Sequence, residues 1–250
     1  MNAAVAVEGA VYTVAVFLGL VAASRWRRQG SSVLEGLGLA IDRRSVIDIG
    51  AGLLIATAAM IGIYVLELVF GGIRSVPAVF DSAAAMTLAL FLILDAFVEE
   101  FLMRGMLISG LALVLGGRSL IAVLIAGVLF GITHMFFDGA SSLSVISNSL
   151  GGVIYGLAFV LTGRLWLGLG LHFAWNFVQG PVLGFTVSGH VLGGGIFHIT
   201  DLGPSWLTGL PYGPEGGVVG VAFRFVIIAA VPAWVGITSR LPRIQAAESR

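Results

Sequence analysis

The sequence predicts an all-α, polytopic helical membrane protein with about seven transmembrane helices, six to eight being compatible with its apolar pattern. Of its 250 residues, 58% are hydrophobic and only 10% are charged, whereas an ordinary soluble domain is about 25% charged. The mean hydropathy is +1.05. Apolar runs reach about 20 residues without alternating polarity, a pattern typical of membrane helices and not of membrane strands.

The charged residues exclude several classes of chemistry. Formal net charge is zero, all 13 basic residues are arginine, and the chain contains no cysteine. Lysine Schiff bases, thiolate nucleophiles, disulfides and cysteine-type zinc sites are therefore excluded. No basic cluster is interleaved with aromatic residues, so nucleic acid is not expected as a partner. The expected surroundings are the lipid bilayer.

Candidate spans follow from the requirement for about 20 helical residues to cross a bilayer. The third candidate is too long for one perpendicular crossing, because its roughly 33 positions extend about 50 Å. It must tilt, protrude, or break near Gly105 or Gly110. The seven candidates are Ala3–Ala23, Val46–Phe70, Ala83–Leu115, Ser119–Phe137, Val145–Thr162, Leu165–Gln179 and Val218–Thr238.

Arginine placement predicts the orientation, since basic residues prefer cytoplasmic loops. With seven crossings, Arg74 alone falls on one side, and the loop and tail arginines outside the spans fall on the other. This predicts an outside N-terminus, retained as a span, and a cytoplasmic C-terminus, in a membrane that composition suggests is a bacterial plasma membrane. The other-side arginines are Arg25, Arg27, Arg28, Arg43, Arg44, Arg118, Arg164, Arg240, Arg243 and Arg250.

Three regions follow from this division. Residues 1–80 hold the first helices and an arginine-rich cytoplasmic loop, and residues 81–180 form a motif-bearing core of four helices. Residues 181–250 hold the last helix and a basic tail, preceded by a segment rich in glycine and proline. We expect that segment, Gly180–Gly217, to form an outer loop with a short interfacial or re-entrant piece.

Ionisable residues inside spans carry the functional signal, because each costs a few kcal/mol to insert and usually faces a cavity or a partner. Glu99 and Glu100 lie side by side in the third span, followed one turn later by Arg104. Glu100 and Arg104 are four residues apart, so they can form an ion pair. Glu99 points about 100° away and lacks that partner. It can therefore take a proton from water.

Two histidines on separate predicted helices extend this set. His134 follows Phe130 by one turn in the fourth span, and His172 precedes Asn176 by one turn in the sixth. His172 and Asn176 can therefore line the same cavity. Other ionisable residues lie close to predicted span ends, where they can reach water. These are Glu8, Asp48, Glu67 and Arg224.

The combined pattern resembles that of the CPBP intramembrane protease family, which groups type II CAAX prenyl endopeptidases with bacteriocin-processing and immunity (Abi) proteins. That family carries Glu-Glu-x-x-x-Arg, then Phe-x-x-x-His, then His-x-x-x-Asn. Order and spacing match over roughly Ala83 to Gln179. The matching pieces are Glu99-Glu100-Phe101-Leu102-Met103-Arg104, Phe130 with His134, and His172 with Asn176.

The resemblance implies an intramembrane endopeptidase acting on a peptide or membrane-protein substrate. Glu99 and His134 would activate water, while His172 and Asn176 would stabilise the oxyanion. Glu100 and Arg104 would hold the site together. Two mechanisms remain open at this point. Glu99, His134 and His172 are a reasonable zinc set on ligand chemistry, but the chain has no His-Glu-x-x-His, and metal-free activation is the alternative.

Two other functions are compatible with the same residues. A non-catalytic immunity or scaffold protein could bind a peptide or partner and keep the polar cluster for its fold. A proton-coupled transporter could use Asp95, Glu99 and the histidines as a relay, although the chain shows no inverted repeat.

Overall fold

The computed structural model describes residues 3–193 and 195–239. Two short β-strands and ten α-helices occur within these ranges. The strands are β1 (Ile73–Pro77) and β2 (Phe197–Asp201). The helices are α1 (Ala3–Arg28), α2 (Val33–Gly36), α3 (Arg43–Val69), α4 (Ser82–Glu100), α5 (Ser109–Val114), α6 (Ser119–Thr133), α7 (Ser142–Thr162), α8 (Trp166–Phe177), α9 (Ser205–Thr208) and α10 (Val218–Ser239).

Five of the helices are long and apolar enough to cross a membrane, so the structure confirms a helical membrane protein. It does not confirm the predicted count of about seven. The α8 helix has 12 residues and spans only about 18 Å, and α4 carries three acidic residues near its end. The five stretches are Val5–Arg28, Arg43–Val69, Ser119–Phe136, Ser142–Thr162 and Val218–Thr238.

The long third segment stays helical throughout, but its geometry changes. After α4 it continues as a π-helix over Phe101–Ile108 and then as α5. A break near Gly105 was one of the three alternatives expected for this segment. The structure shows instead a change of hydrogen-bonding register without interruption of the helix. Gly105 permits close packing there, because a Cβ would lie 2.9 Å from the backbone oxygen of Leu37. Single π-turns in helices often mark functional sites, and this segment directly follows Glu99 and Glu100.

Local sequence explains where several helices begin. Asp42 and Ser45 form a capping box at the start of α3, and Ser141 and Ser144 form another at α7. The Asp81 carboxylate accepts hydrogen bonds from two backbone amides at the start of α4. Each cap satisfies amides that the helix itself leaves unpaired.

One end of the molecule gathers the loops that precede α3 and α8. The Arg164 guanidinium lies 2.8 Å from the Asp42 carboxylate and 3.8 Å from that of Asp48. These loops were expected on the same side of the membrane, and the contact joins them. The tail arginines Arg240, Arg243 and Arg250 lie outside the described residues, and the orientation of the termini stays a prediction.

The sequence did not predict the two-stranded antiparallel sheet, so the expectation of an all-α chain is incomplete. Strand β1, after α3, pairs with β2 in the glycine- and proline-rich segment, with Ile73 opposite Asp201. These strands are five residues long and far apart in sequence, so neither gives a clear alternating pattern. Strand β2 and helix α9 give the predicted outer loop regular secondary structure.

Helix α8, which belongs to the motif-bearing core, packs closely against α3. Gly52 of α3 faces the α8 backbone, and a Cβ there would lie 2.5 Å from the Leu167 oxygen and 2.6 Å from the Leu171 nitrogen. Small residues let membrane helices approach in this way. The contact fixes α8, which carries His172 and Asn176.

We expect Gly52→Ala to lower the thermal unfolding midpoint in detergent, because the added methyl group forces α3 and α8 apart at a cost of about 1–3 kcal/mol. Gly50→Ala is the matched control on the same helix, since a Cβ at Gly50 meets nothing within 4 Å. The control should unfold at or above the wild-type temperature. Equal midpoints for the two variants would contradict the importance of this contact.

Candidate active site

Glu100 and Arg104 form a buried ion pair at the junction of α4 and the π-helix. Their side chains are both 1% exposed, and Nη1 of Arg104 lies 3.2 Å from Oε1 of Glu100. The guanidinium also lies over the rings of Phe130 and Tyr155, 4.7 and 5.0 Å from their centroids. The expected pair is thus present, and it ties α4 to α6 and α7.

His172 lies between the two adjacent carboxylates. Its Nδ1 is 2.9 Å from Oε1 of Glu100, and its Nε2 is 3.7 Å from Oε2 of Glu99. The Tyr155 ring stacks on the imidazole with centroids 4.7 Å apart. These contacts hold the ring in one plane and direct Nε2 toward Glu99.

Glu99 has a different environment from its neighbour. Its side chain is 15% exposed, and its Oε1 accepts a hydrogen bond from the Tyr12 hydroxyl at 3.5 Å. Arg104 pairs with Glu100 and forms no ion pair with Glu99 within the described chain. Glu99 therefore keeps a carboxylate oxygen available to the cavity beside it.

His134 occupies the end of α6, where a 3₁₀ turn begins. Its Nδ1 is 2.8 Å from the Phe130 backbone oxygen, and the Phe130 ring lies 4.5 Å from the imidazole, centroid to centroid. A carbonyl oxygen can only accept, so Nδ1 carries the proton in this contact. The neutral imidazole then presents Nε2 as a hydrogen-bond acceptor.

One cavity of about 210 Å³ brings four of the predicted residues together: Glu99, His134, His172 and Asn176. Glu99 and His134 form no ion pair with each other among the described residues. Asn176 makes no side-chain hydrogen bond to residues that the structure describes. Glu100 and Arg104 lie behind His172 and do not line the cavity.

Glu99, His134 and His172 are the zinc set that the sequence left open as an alternative. Within residues 3–193 and 195–239, no three His, Asp or Glu side chains converge closely enough to hold a metal ion. The side chains as placed therefore do not form a metal site, and no step of the reaction proposed for them passes through a metal.

A second polar cluster lines the same cavity and was missed by the sequence analysis. The Arg224 guanidinium stacks on Trp175, 3.6 Å from the ring centroid, and the Trp175 Nε1 donates to Glu215 at 3.0 Å. Arg224 is 3% exposed, although its position near a span end predicted contact with water. The sequence feature that could have pointed to this residue is its position, six residues inside the last apolar run.

Two neighbouring residues complete this cluster. The Asn148 side-chain amide donates to the Tyr212 hydroxyl at 2.8 Å. Burial raises the pKa of Tyr212, so its phenol stays protonated at neutral pH. Tyr212 belongs to the glycine- and proline-rich segment, whose Ser188 and Glu215 line the cavity.

Comparison with known proteins identifies the motif-bearing core. Residues 81–178 match the family model described as Type II CAAX prenyl endopeptidase Rce1-like. This segment is similar to the Rce1-like family. The match covers about two fifths of the chain, from the start of α4 to the end of α8. It confirms the family expected from the motifs and supports a protease.

Within the Rce1-like segment lie all six predicted site residues. Arg224, Glu215 and Tyr212 lie beyond its last residue, although Arg224 and Glu215 line the same cavity. No curated protein and no solved structure matches the chain.

Proposed function

We propose that the protein is an intramembrane endopeptidase in which Glu99 and His134 activate a water molecule to hydrolyse a peptide bond. The observation that carries this proposal is the division between adjacent carboxylates. Glu100 is held by Arg104 and His172, whereas Glu99 faces a cavity that it shares with His134. The Rce1-like match supports the reaction class, and CAAX-type prenylated peptides are the first substrates to test.

The reaction begins with water between Glu99 and His134. Its oxygen attacks the scissile carbonyl carbon while one proton passes to the Glu99 carboxylate, and Nε2 of His134 accepts a hydrogen bond from the same water. The tetrahedral intermediate then collapses with cleavage of the C–N bond. Glu99 returns its proton to the leaving nitrogen. The hydroxyl proton of the new carboxyl group then passes to the amine, so the products are a carboxylate and an ammonium group.

The oxyanion requires donors on the opposite side of the carbonyl. Asn176 lines the cavity, and its side-chain amide has no hydrogen-bond partner among the described residues. His172 donates through Nδ1 to Glu100, and when both ring nitrogens are protonated Nε2 supplies a second donor. Preorganised donors of this kind stabilise the transition state more than the ground state.

We expect Asn176→Ala to lower kcat about 10²- to 10³-fold, the range typical of loss of one oxyanion donor. KM should change little, because the ground-state carbonyl needs that donor less. Steady-state kinetics on a cleaved peptide measures both constants. A large rise in KM with unchanged kcat would instead place Asn176 in substrate binding.

Chelation tests the metal-free mechanism. We expect incubation with 1,10-phenanthroline, followed by its removal, to leave kcat/KM within about twofold of the untreated protein. The non-chelating isomer 1,7-phenanthroline is the matched control for nonspecific effects. Loss of activity that added Zn²⁺ restores would contradict the metal-free proposal and favour the zinc set predicted from sequence.

The proposed activity itself is tested with purified full-length protein in nanodiscs and a peptide pool that includes prenylated CAAX-type sequences. Mass spectrometry reads the new termini. Products that appear with the protein and not with empty nanodiscs support an endopeptidase. An inert protein across the pool would favour the binding or immunity alternative.

A further inference from the structure

Arg224 is a buried cation in an unusual position for a membrane helix. It lies in the second turn of α10, and only 3% of it is exposed. Its Nε lies 3.4 Å from the Ser147 hydroxyl, and its Nη1 lies 3.4 Å from the Tyr155 hydroxyl. Both contacts are with neutral groups, so they orient the guanidinium without neutralising its charge.

A carboxylate lies close by, but it does not pair with Arg224. The Glu215 oxygens accept from Trp175 Nε1 at 3.0 Å and from the Ser188 amide and hydroxyl at 2.8 and 2.9 Å. Within the described chain, no carboxylate lies within 4.0 Å of the Arg224 guanidinium. A cation inside the membrane is costly, and such residues usually mark a substrate or ion pathway.

The guanidinium faces the cavity that also contains Glu99 and His134. Its Nη2 has no hydrogen-bond partner among the residues described. Gly151 leaves space for this position, because a Cβ there would lie 3.2 Å from both Cζ and Nη1 of Arg224. Trp175 holds the other face by stacking. The residue is thus fixed in place, with donors still free for a ligand.

We propose that Arg224 binds the C-terminal α-carboxylate of the peptide substrate. Guanidinium groups bind carboxylates through two parallel, charge-assisted hydrogen bonds, and a bound carboxylate would neutralise the buried charge. This inference rests on the proposed function for the identity of the ligand as a peptide. It adds a specificity-determining residue beyond the Rce1-like segment.

Tyr155 connects Arg224 to the proposed catalytic residues, since its ring stacks on His172 and its hydroxyl contacts Arg224. A carboxylate bound to Arg224 would therefore lie in the same cavity as Glu99 and His134.

Binding to a catalytically silent protein tests this proposal without requiring turnover. Full-length Glu99→Gln in nanodiscs is titrated with an S-farnesylated peptide ending in Cys-Val-Ile-Ala, as the free acid and as the C-terminal amide. We expect the free acid to bind about 10- to 100-fold more tightly, as for loss of a charged hydrogen-bond partner. Adding Arg224→Gln should remove this difference, and adding Arg224→Lys should retain part of it.

Equal affinity for the acid and the amide, or binding of neither, would overturn the proposal even if every Arg224 variant failed to fold. A preference for the acid that persists in Arg224→Gln would overturn the assignment to this residue. An amidated peptide ending in aspartate separates the two sources of a carboxylate. If it binds as tightly as the free acid, the ligand is an acidic side chain and the terminal-carboxylate proposal fails.

Wild-type cleavage of the same peptides is measured separately and reports on the proposed function. Acid-selective binding without cleavage would retain the Arg224 site and contradict the protease. Cleavage without a preference for the free acid would support the protease and contradict the Arg224 site.

Discussion

Replacing Arg104 by methionine will strongly destabilise the protein. The substitution leaves the volume similar but removes the cation beside Glu100, whose side chain is 1% exposed. Loss of one partner of a buried ion pair typically costs about 3–5 kcal/mol, because the remaining charge is buried without compensation. His172 alone would then face this carboxylate. We expect a large fall in the thermal unfolding midpoint and in the yield of monodisperse protein.

The double variant Glu100→Gln with Arg104→Met is the informative control. It removes both charges, and the glutamine oxygen can still accept a hydrogen bond from Nδ1 of His172. We expect it to recover most of the lost stability, as neutral replacements of buried pairs often do. If the single and double variants unfold at the same temperature, the ion pair is not what holds α4 in place.

Replacing Glu99 by glutamine will abolish peptide hydrolysis and leave the fold intact. The amide keeps the size of the carboxylate but cannot take a proton from water. General-base catalysis contributes about 10²- to 10⁴-fold, so kcat/KM should fall by at least about 10²-fold. The effect on stability should be small, because Glu99 is partly exposed and its polar contacts are long, with Tyr12 at 3.5 Å and His172 at 3.7 Å.

Asp95→Asn provides a matched control for the Glu99 variant. Asp95 lies one turn earlier on α4, is exposed, and lines the same cavity. Among the described residues Asp95 forms no hydrogen bond or ion pair with a histidine, so the Asp95→Asn variant should retain activity within about threefold of wild type. Steady-state kinetics on one cleaved peptide compares the three proteins. Similar losses in both variants would indicate a general effect of charge at the cavity and would contradict a specific role for Glu99.

Much of the candidate site could be predicted because ionisable residues inside apolar runs are costly and therefore informative. Spacing alone placed Arg104 on the Glu100 face of one helix, and the ion pair at 3.2 Å agrees. The sequence could not establish that His134, near the end of its helix, would reach the depth of Glu99. The structure places both in one cavity.

The remaining parts of the site depend on tertiary contacts that no local pattern encodes. Tyr155 resembles an ordinary apolar-helix residue in sequence, yet its ring stacks on His172. Arg224 lies near a span end, where contact with water is the usual outcome. It is instead buried against Trp175, which in turn bonds to Glu215 from the glycine- and proline-rich segment.

The two-stranded sheet also depends on tertiary contacts that no local sequence pattern encodes. Pairing of β1 with β2 depends on the α3 end and the outer segment meeting in space. The glycine and proline content of that outer segment favoured turns. Strand β2 meets β1 only once the helices have packed together.

A single-turnover hydrolysis in H₂¹⁸O tests the central claim most directly. Enzyme in excess over a cleavable peptide is quenched after one turnover, and the new C-terminal carboxylate is analysed by mass spectrometry. If Glu99 activates water, the wild-type product carries one ¹⁸O from solvent, and Glu99→Gln yields little product in the same time. A first-turnover product carrying only ¹⁶O would show attack by a protein group, and equal product from Glu99→Gln would exclude Glu99 as the base.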